Sequence, residues 1–566
     1  MKFKSWEICG FKRDTAVELC RNGLNPLVSV FLTSRGIDNI NDAHAMTGDL
    51  PGEIYNPLLL ADMDKAVMRI NSAIKGNERI AVYGDYDVDG MTSCAILALW
   101  LRSKRADFEV YIPDRLGEGY GLNIPAIDVL KSRGASLIIT VDCGVTAFAE
   151  AEYAQSIGLD LVITDHHECR PELPEAVAIV DPKRPDCKYP YKYLAGVGVA
   201  FKLVCALERD ADLGEMLQRF GDLVAVGTIA DVMPVSGENR ELIKRGLTIL
   251  NGNPRPGILR LLRETSSARG RVNAATVGFA LAPRLNAAGR MGRTEVSLEL
   301  LLADDGSDGD RLVVELCRLN TERRALEAAI FEEAVAMLPD TELNGPIIIA
   351  RRNWYQGVTG IVAAKLADRY RLPAIIISID ENGVGRGSCR SFGAFGIYQA
   401  IISCEDILMN YGGHETASGV TIDEGKIDEF RRRVVDFYRA INTNESVPSL
   451  QIDFEVEKAE LLTVQNIEAL ECLEPFGNSN PLPCLCIRDA ELSSLQSIGE
   501  GKHTRLRIVK SGKTLDCIYF SMPSDALGVR EGMLVDIAFE PQVNEFRGRS
   551  NVQLHVMDIR PSGVGG

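Results

Sequence analysis

Hydrophobic and polar positions follow different periods along the chain and mark five regions. Residues 46–235 and 341–445 combine short apolar runs, typical of buried strands, with helical stretches, which is the pattern of βα units around a parallel sheet. Residues 236–340 keep a helical period throughout and are predicted to be a helical connector. Residues 446–566 contain short strand-like runs separated by turn residues, which favours a small β-barrel, and residues 1–45 are predicted to be a helical extension. The predicted fold class is α/β.

Four apolar runs in the first 231 residues share one feature, because an acidic residue follows each of them. The runs span residues 79–83, 136–141, 159–164 and 224–230, all interpreted as strands. The acids that follow them are Asp85, Asp142, Asp165 and Asp231. The carboxyl ends of parallel strands share one edge of a sheet, where ligands bind, so these side chains are predicted to converge.

The residue types at this edge favour a site for two metal ions. Asp85, Asp87 and Asp89 alternate directly after a strand, so two of them can reach a metal while the third caps the following helix or lies behind the ligands. Adjacent histidines usually point apart, so one of His166 and His167 can bind a metal while the other faces substrate. Carboxylates with one imidazole favour Mn²⁺ or Mg²⁺, and two such ions activate water for phosphoester hydrolysis.

The acidic turn has two other interpretations. A calcium loop is disfavoured because its twelfth position is Ile96 instead of an acid. A solvated acidic turn without chemistry stays an alternative for residues 85–89 taken alone.

Composition limits the class of protein. The formal net charge of −17 argues against coating of duplex DNA, although arginines near residues 284–293, 351–352 and 386–390 leave room for a local phosphate-binding track. The 14 cysteines contain no Cys-x-x-Cys pair, which indicates reduced thiols, and no apolar run approaches membrane-spanning length. We expect a cytoplasmic protein that does not insert into a membrane.

The motifs are similar to those of a known family. Asp-Tyr-Asp-Val-Asp-Gly at 85–90, Val-Asp-Cys-Gly at 141–144 and Thr-Asp-His-His-Glu at 164–168 resemble the ordered motifs of the DHH phosphoesterase superfamily. The resemblance to its exonucleases specific for single-stranded DNA extends over nearly the whole chain. It implies a DHH domain at 46–235, a DHH-associated domain around the motifs at 385–391 and 411–419, and an OB-fold-like domain after 474–481.

The resemblance also implies roles for individual residues. The implied metal ligands are Asp85, Asp87, Asp142, His166 and Asp231. Asp87 and Asp142 would bridge both ions and form the catalytic group with His167, which would lie beside the scissile phosphate. Asp89 and Asp165 would support the ligands from behind. Some relatives have histidine where this chain has Tyr83, so one metal is expected to bind more weakly.

Contacts to the nucleic acid are implied at a second set of positions. These are Arg115, Arg284, Ser388, Arg390 and His414. For each arginine a surface salt bridge is the alternative, and for His414 it is a packed histidine.

The implied activity is metal-dependent hydrolysis of phosphodiester bonds in single-stranded DNA, 5′ to 3′, in DNA repair and recombination. Two divalent cations are the implied cofactors, and the implied partners are single-stranded DNA, a single-stranded-DNA-binding protein and a helicase, with the protein itself a monomer. A hydrolase of short oligonucleotides or small phosphates, and a non-catalytic replication scaffold, are the two alternatives.

Overall fold

The structure, a computed structural model, describes residues 3, 5–48, 52–115, 117–119, 121–209, 211–265, 270–306, 308–339, 343–441, 449–546 and 549–563. The chain divides into two compact units. The barrel unit contains residues 1–52, 445–476 and 480–566, and the sheet unit contains residues 53–444 and 477–479. The predicted boundary between residues 445 and 446 lies in the stretch 442–448, which is outside the described residues.

The barrel unit begins with an N-terminal segment of one strand and three helices. These are β1 (Trp6–Ile8), α1 (Arg13–Arg21), α2 (Pro26–Ser34) and α3 (Ile40–Thr47). Side chains of α2, including Phe31 and Leu32, join the buried core of the C-terminal barrel. The predicted extension is therefore mainly helical, and it packs with the last part of the chain.

The sheet unit begins with a parallel sheet of five strands. The strands are β2 (Arg79–Gly84), β3 (Phe108–Tyr111), β4 (Ala135–Val141), β5 (Asp160–Thr164) and β6 (Ala178–Val180), in the order β3-β2-β4-β5-β6. The helices are α4 (Met63–Lys75), α5 (Val88–Ser103), α6 (Ile124–Ser132), α7 (Phe148–Ser156), α8 (Gly196–Leu207) and α9 (Leu213–Ala230). This confirms the predicted parallel sheet.

One predicted strand was wrong. Residues 224–230 form the last turns of α9, an 18-residue helix whose N-terminus is capped by Asp212. The helix is buried on nearly all sides in this half, so the run of apolar residues has no polar face and resembles a buried strand. Helix α5 is likewise buried almost all around.

The predicted connector is helical. Its helices are α10 (Gly237–Gly252), α11 (Pro256–Glu264), α12 (Ala274–Thr276), α13 (Ala282–Arg290), α14 (Thr294–Leu302) and α15 (Gly309–Ala336). A turn of π-helix, Val277–Leu281, separates α12 from α13. Buried side chains of the connector helices and of α5 form one hydrophobic core on the same face of the first sheet. The connector is therefore part of the same compact unit as that sheet.

A second sheet completes the sheet unit. Its strands are β7 (Ile347–Arg352), β8 (Ala374–Ile379), β9 (Val384–Arg390), β10 (Leu408–Gly413) and β11 (Ala417–Asp423), in the order β10-β11-β9-β8-β7. Its helices are α16 (Gln356–Tyr370), α17 (Ile397–Ile402) and α18 (Ile427–Ala440). Only β7 and β8 are parallel, so this α/β region has a mixed sheet.

The C-terminal part of the barrel unit is a closed β-barrel. Its elements are β12 (Leu450–Ile452), β13 (Phe454–Glu455), α19 (Val464–Ala469), β14 (Leu485–Ile498), β15 (His503–Lys510), β16 (Lys513–Tyr519), β17 (Leu534–Phe546) and β18 (Arg549–Pro561). The order β14-β15-β16-β18-β17 closes through pairing of β14 with β17. This is the five-stranded arrangement of an OB-fold, as predicted.

No helix within the described ranges has both the length and the apolar character that crossing a membrane would require.

Candidate active site

The first acidic motif occupies the turn between β2 and α5. Asp87 is the N-cap of α5, and its carboxylate accepts a hydrogen bond from the Gly90 amide at 3.0 Å. A side chain at Gly90 would place its Cβ 2.5 Å from the Asp85 carbonyl oxygen, so only glycine allows this turn. The three carboxylates of Asp85, Asp87 and Asp89 are thereby held within one turn of the chain.

Parallel pairing brings three motifs to the same edge of the sheet. Gly84 pairs with Val141, and Val141 pairs with Thr164, so Asp85, Asp142 and Asp165 follow neighbouring strands at the same level. Asp142 has a positive φ of 60°, in the left-handed region that few residues other than glycine adopt. This strained backbone conformation sets the direction in which the Asp142 carboxylate points.

His166 lies among carboxylates from three different motifs. Its Nε2 atom is 3.0 Å from Asp142 Oδ1, 3.6 Å from Asp231 Oδ2 and 3.8 Å from Asp89 Oδ2. In a second group, Asp85, Asp87 and Asp142 each offer a ligand atom, all within 4.8 Å of one another. We call the residues of these two groups the acidic centre. They are Asp85, Asp87, Asp89, Asp142, His166 and Asp231.

The donor atoms of the acidic centre fit divalent metal ions. Asp85 Oδ1, Asp142 Oδ1 and the Nε2 atom of His166 are buried without a hydrogen-bond partner. Buried polar atoms normally have partners, so this group of orphaned acceptors calls for a cation. His166 Nε2 and Asp142 Oδ1 are 3.0 Å apart. Two atoms that bind the same ion at a right angle, each about 2.1 Å from it, would have this separation.

Asp89 supports the acidic centre from behind. Its two carboxylate oxygens accept hydrogen bonds from the Gly196 and Val197 amides at 2.7 and 2.8 Å. These amides begin α8, so Asp89 fixes the helix N-terminus beside Asp142. A Cβ at Gly196 would lie 2.6 Å from the Cβ of Asp142, which explains the glycine there.

Asp165 orients the histidine pair. One oxygen accepts from the His166 and His167 amides and lies 2.7 Å from His167 Nδ1, and the other accepts from the Val145 amide. Burial alone would raise the pKa of Asp165, but the hydrogen bond and charge of His167 lower it to about 2. Burial would lower the pKa of His167, but Asp165 raises it to about 9, so His167 is a cation at neutral pH.

The two histidine rings do not point apart as predicted. Their centroids are 4.5 Å apart, and the rings are tilted by 58°. Burial and the charge of His167 lower the pKa of His166 to about 3, so it stays neutral and able to bind a metal. The pair thus combines one neutral imidazole with one cationic imidazole at the same place.

Four carboxyl groups of the acidic centre have raised pKa values. Burial and the charge of Asp87 raise the pKa of Asp231 to about 7. Burial and neighbouring carboxylates also raise the pKa values of Asp85, Asp89 and Asp142 well above the ordinary range. The centre therefore has an excess of negative charge that bound cations would neutralise.

Two residues at this edge differ from the sequence-based picture. Asp231 is the C-cap of α9 and so reaches the centre from a helix instead of from a strand. The hydroxyl of Tyr83 donates to the Gly121 carbonyl at 2.8 Å, and its ring stacks on Tyr111, so it has a structural role in the core. The expected weakness of one metal site stays a prediction.

Arginines from distant parts of the sheet unit form a cationic group. Burial and the charges of Arg115, Arg323 and Arg390 lower the pKa of Arg290 to about 9. The Arg115 guanidinium lies over the Tyr86 ring at 4.7 Å, next to the first acidic motif. Arg290 was grouped with other arginines but not singled out as a phosphate contact. The sequence signal for Arg290 is only its position directly after a glycine, and the structure explains that glycine, because a Cβ at Gly289 would lie 2.3 Å from the Tyr86 carbonyl oxygen.

The remaining predicted contacts have these positions. Ser388 Oγ lies 2.9 Å from Thr359 Oγ1, and a Cβ at Gly360 would lie 3.1 Å from the Arg390 guanidinium, so Ser388 and Arg390 flank the start of α16. The His414 ring is parallel to that of His167, at 6.4 Å between centroids. Arg284 instead donates to the Ala280 carbonyl at 2.7 Å.

The barrel carries an aromatic surface of its own. The ring of Phe520 packs edge-on against His503 and His555, with centroids 5.7 and 5.1 Å apart, and Phe520 is exposed. Arg505 lies on the same strand as His503, two residues on. An exposed ring can stack on unpaired bases, and Arg505, which lies 3.5 Å from Asp516, adds a guanidinium to the same strand.

Comparison with known proteins agrees with these observations. Residues 79–228 match the DHH family, N-terminal domain, residues 344–440 match the DHHA1 domain, and residues 452–558 match the RecJ OB domain. The chain is 39% identical over 562 residues to the single-stranded-DNA-specific exonuclease RecJ of Bacillus subtilis, covering 98% of this chain and 71% of that protein. It is 34% identical over 576 residues to the protein of the same name from Salmonella typhimurium, covering 95% and 96%.

Solved structures show the same similarity. The crystal structure of RecJ in complex with Mn²⁺ from Thermus thermophilus matches with a TM-score of 0.84 at 29% identity, covering 99% of this chain and 80% of that chain. The Mg²⁺ complex of the same protein matches with a TM-score of 0.78 at 28% identity, covering 99% and 79%. These findings confirm the resemblance to DHH phosphoesterases and the predicted fold class. The chain belongs to the RecJ family of single-stranded-DNA-specific exonucleases.

Proposed function

We propose that this protein is a metal-dependent exonuclease that hydrolyses phosphodiester bonds of single-stranded DNA from the 5′ end, in DNA repair and recombination. The observation that carries this proposal is the acidic centre, in which buried carboxylate and imidazole atoms lack hydrogen-bond partners at distances suited to shared cations. Similarity to relatives named single-stranded-DNA-specific exonucleases supports the substrate.

We assign two divalent cations, Mn²⁺ or Mg²⁺, to the acidic centre. Both ions occur in the related Thermus thermophilus structures. The residues that would hold these ions are Asp85, Asp87, Asp142, His166 and Asp231. When bound, such a pair of ions lowers the pKa of water and stabilises charge on the phosphate oxygens.

The protein's own residues position the substrate and balance its charge. His167, protonated at neutral pH and held by Asp165, donates a hydrogen bond to the scissile phosphate. Asp89 keeps the start of α8 beside Asp142 and so maintains the ligand geometry. His414, parallel to His167, borders the same phosphate from the second sheet.

The cationic group captures the 5′ end. Among the described residues, no carboxylate lies within 4 Å of the guanidinium groups of Arg115, Arg290 and Arg390. Burial and repulsion from neighbouring arginines lower the pKa values of Arg290 and Arg390, and a bound anion would relieve this repulsion. A terminal phosphate brings the countercharge, with Ser388 as a neutral donor. We keep Arg284 as a backbone-phosphate contact further along the strand.

The rest of the chain determines what the enzyme acts on. The barrel holds unpaired DNA through stacking at Phe520 and through Arg505. We further propose a cytoplasmic monomer that receives single strands from a helicase or a single-stranded-DNA-binding protein. A hydrolase of small phosphates would have no use for this barrel, and a scaffold would have no need for the strained, unpartnered ligands of the acidic centre.

Digestion of a long single strand tests the proposal. The strand carries different labels at its two ends, and the protein is supplied with Mn²⁺ or Mg²⁺ and compared with the Asp142→Ala variant. We expect stepwise release of the 5′ label by the wild type, and loss of hydrolysis with retained strand binding in the variant. Cleavage restricted to dinucleotides would favour the small-substrate alternative, and turnover by Asp142→Ala would refute the metal site.

A further inference from the structure

An exposed aromatic ring lies on a helical turn that packs against the C-terminal end of α9, and it has no role in the function proposed so far. Phe279 is 85% exposed in the π-helical turn Val277–Leu281. The flanking residues Val277 and Leu281 are buried, so the turn is anchored on both sides while its central ring faces solvent. Single π-helical turns inside helices occur frequently at functional sites.

The turn packs against the helix end that carries Asp231. A Cβ at Gly278 would lie 3.8 Å from Ile229 Cγ2, and Ile229 is two residues before Asp231. The residue after Asp231, Val232, is 66% exposed and has a φ of +57°, a conformation rare for β-branched residues. Two exposed apolar side chains thus accompany one proposed metal ligand.

The turn is also tied to a cation. Arg284 donates from its guanidinium to the Ala280 carbonyl at 2.7 Å, and its Nε atom is buried without a partner. The turn thus lies between the end of α9, where Asp231 is the C-cap, and α13, which carries the guanidinium of Arg284. An apolar ring between a hydrolytic centre and a cation suits one nucleoside, with the base on the ring and the backbone phosphate near the arginine.

We propose that Phe279 is a stacking platform for a base of the substrate strand close to the scissile phosphate, with Val232 at its edge. The proposal rests on the nuclease function above and adds a positioning residue to it. Stacking on a ring is independent of base identity, because every base has a π-face. Phe279 would therefore position unpaired strands of any sequence, and a base engaged in a duplex could not use it.

A scan with abasic residues tests the platform. A 5′-phosphorylated strand carries one tetrahydrofuran abasic residue, moved stepwise from the 5′ end, and single-turnover cleavage is measured for the wild type, Phe279→Ala and Phe279→Trp. We expect wild-type cleavage to be slowed about 10-fold when the abasic residue occupies one particular position. Phe279→Ala should be slowed to a similar extent on the intact strand and show no such position, whereas Phe279→Trp should keep it.

Two controls separate this result from other causes. Val314→Ala removes an apolar side chain that is 65% exposed on α15, and it should match the wild type throughout. Binding of the same strands in EDTA, followed by fluorescence anisotropy, reports on stacking without catalysis. If the wild type does not digest the strand but shows the abasic-sensitive position in binding, the nuclease proposal fails and the platform stands. If Phe279→Ala keeps the wild-type rate and the same sensitive position, the platform is refuted.

Discussion

The buried carboxyl group of Asp231 shows how a single residue of the acidic centre lowers the free energy of unfolding. Burial and the charge of Asp87 raise its pKa from 3.8 to about 7. The folded protein therefore binds more protons than the unfolded chain between these values, and its stability falls as the pH rises from about 4 to about 7. Above pH 7 the penalty is complete, unless cations neutralise the site.

The first prediction follows from this sign. In metal-free protein, Asp231→Asn should raise the free energy of unfolding by more than about 1 kcal/mol at pH 8 and have little effect at pH 4. Chemical denaturation in EDTA at both pH values measures this difference. The control, Glu152→Gln, changes an exposed carboxylate on α7 and should have no effect at either pH. An equal effect of Asp231→Asn at both pH values would contradict the assignment of the titrating group.

The second prediction concerns Arg290. Arg290→Gln should raise the KM for 5′-phosphorylated strands about 10-fold and leave the KM for 5′-hydroxyl strands nearly unchanged, because its charge is the one most crowded by other arginines. Steady-state cleavage of the two strands measures the ratio. Arg293→Gln is the matched control, because Arg293 is already paired with Glu295 at 2.6 Å and should not alter the ratio.

The residue types of the site were predictable, and some of their partners were not. Asp85, Asp142 and Asp165 follow apolar runs, and the rule for parallel strands places such residues together. For Asp89 the sequence indicated a supporting role but not its hydrogen-bond partners. These are the amides of Gly196 and Val197, which are 107 and 108 residues away. Backbone amides have no sequence signature, so contacts of this kind stay hidden until the fold is known.

At the scale of elements, the site depends on how closely α8 approaches the strand ends. Gly196 permits this approach, since a Cβ there would overlap Asp142 at 2.6 Å. Gly198, in the same first turn, would meet only Leu194 at 3.4 Å. The two glycines therefore differ in their relation to the metal ligands, although they are two residues apart.

The third prediction compares these two glycines. Gly196→Ala should lower kcat at least about 100-fold and weaken Mn²⁺ binding, because either Asp142 or the helix must move by an ångström or so. Gly198→Ala should retain most of the activity and gain slightly in helix stability. Isothermal titration with Mn²⁺ and strand cleavage test both. Similar losses of activity and Mn²⁺ binding in the two variants would mean that α8 needs glycine for its own packing and that Gly196 has no special relation to Asp142.

Elements also show where the sequence-based prediction failed. Residues 224–230 were predicted to be a strand because a helix buried on all sides has no polar stripe. The prediction still placed Asp231 near the other acids, since the end of α9 reaches the same edge of the sheet. The carboxylate of Asp231 lies 3.6 Å from His166 although the predicted element was wrong, and only the length of the helix, extending back to Leu213, could have distinguished helix from strand.

At the scale of the whole molecule, the barrel unit is assembled from both ends of the chain. β1 pairs in parallel with β12, and Trp6 Nε1 donates to Asp558 at 2.9 Å. Arg35 Nε donates to Asp453 at 2.8 Å across a separation of 418 residues. The sequence suggested an N-terminal extension and a C-terminal barrel as separate parts, because pairing between distant segments leaves no local pattern.

The last prediction concerns fragments that respect or cut this unit. A fragment of residues 53–441 should fold and retain Mn²⁺-dependent cleavage of short oligonucleotides, because it keeps most of the sheet unit and all residues of the acidic centre. A fragment of residues 1–441 should aggregate, because Phe31 and Leu32 lose the barrel core that covers them. Size-exclusion chromatography and circular dichroism compare the two, and replacing both side chains by serine should restore solubility to the longer fragment. A longer fragment that is already monomeric and fully folded would mean that the N-terminal helices do not need the barrel.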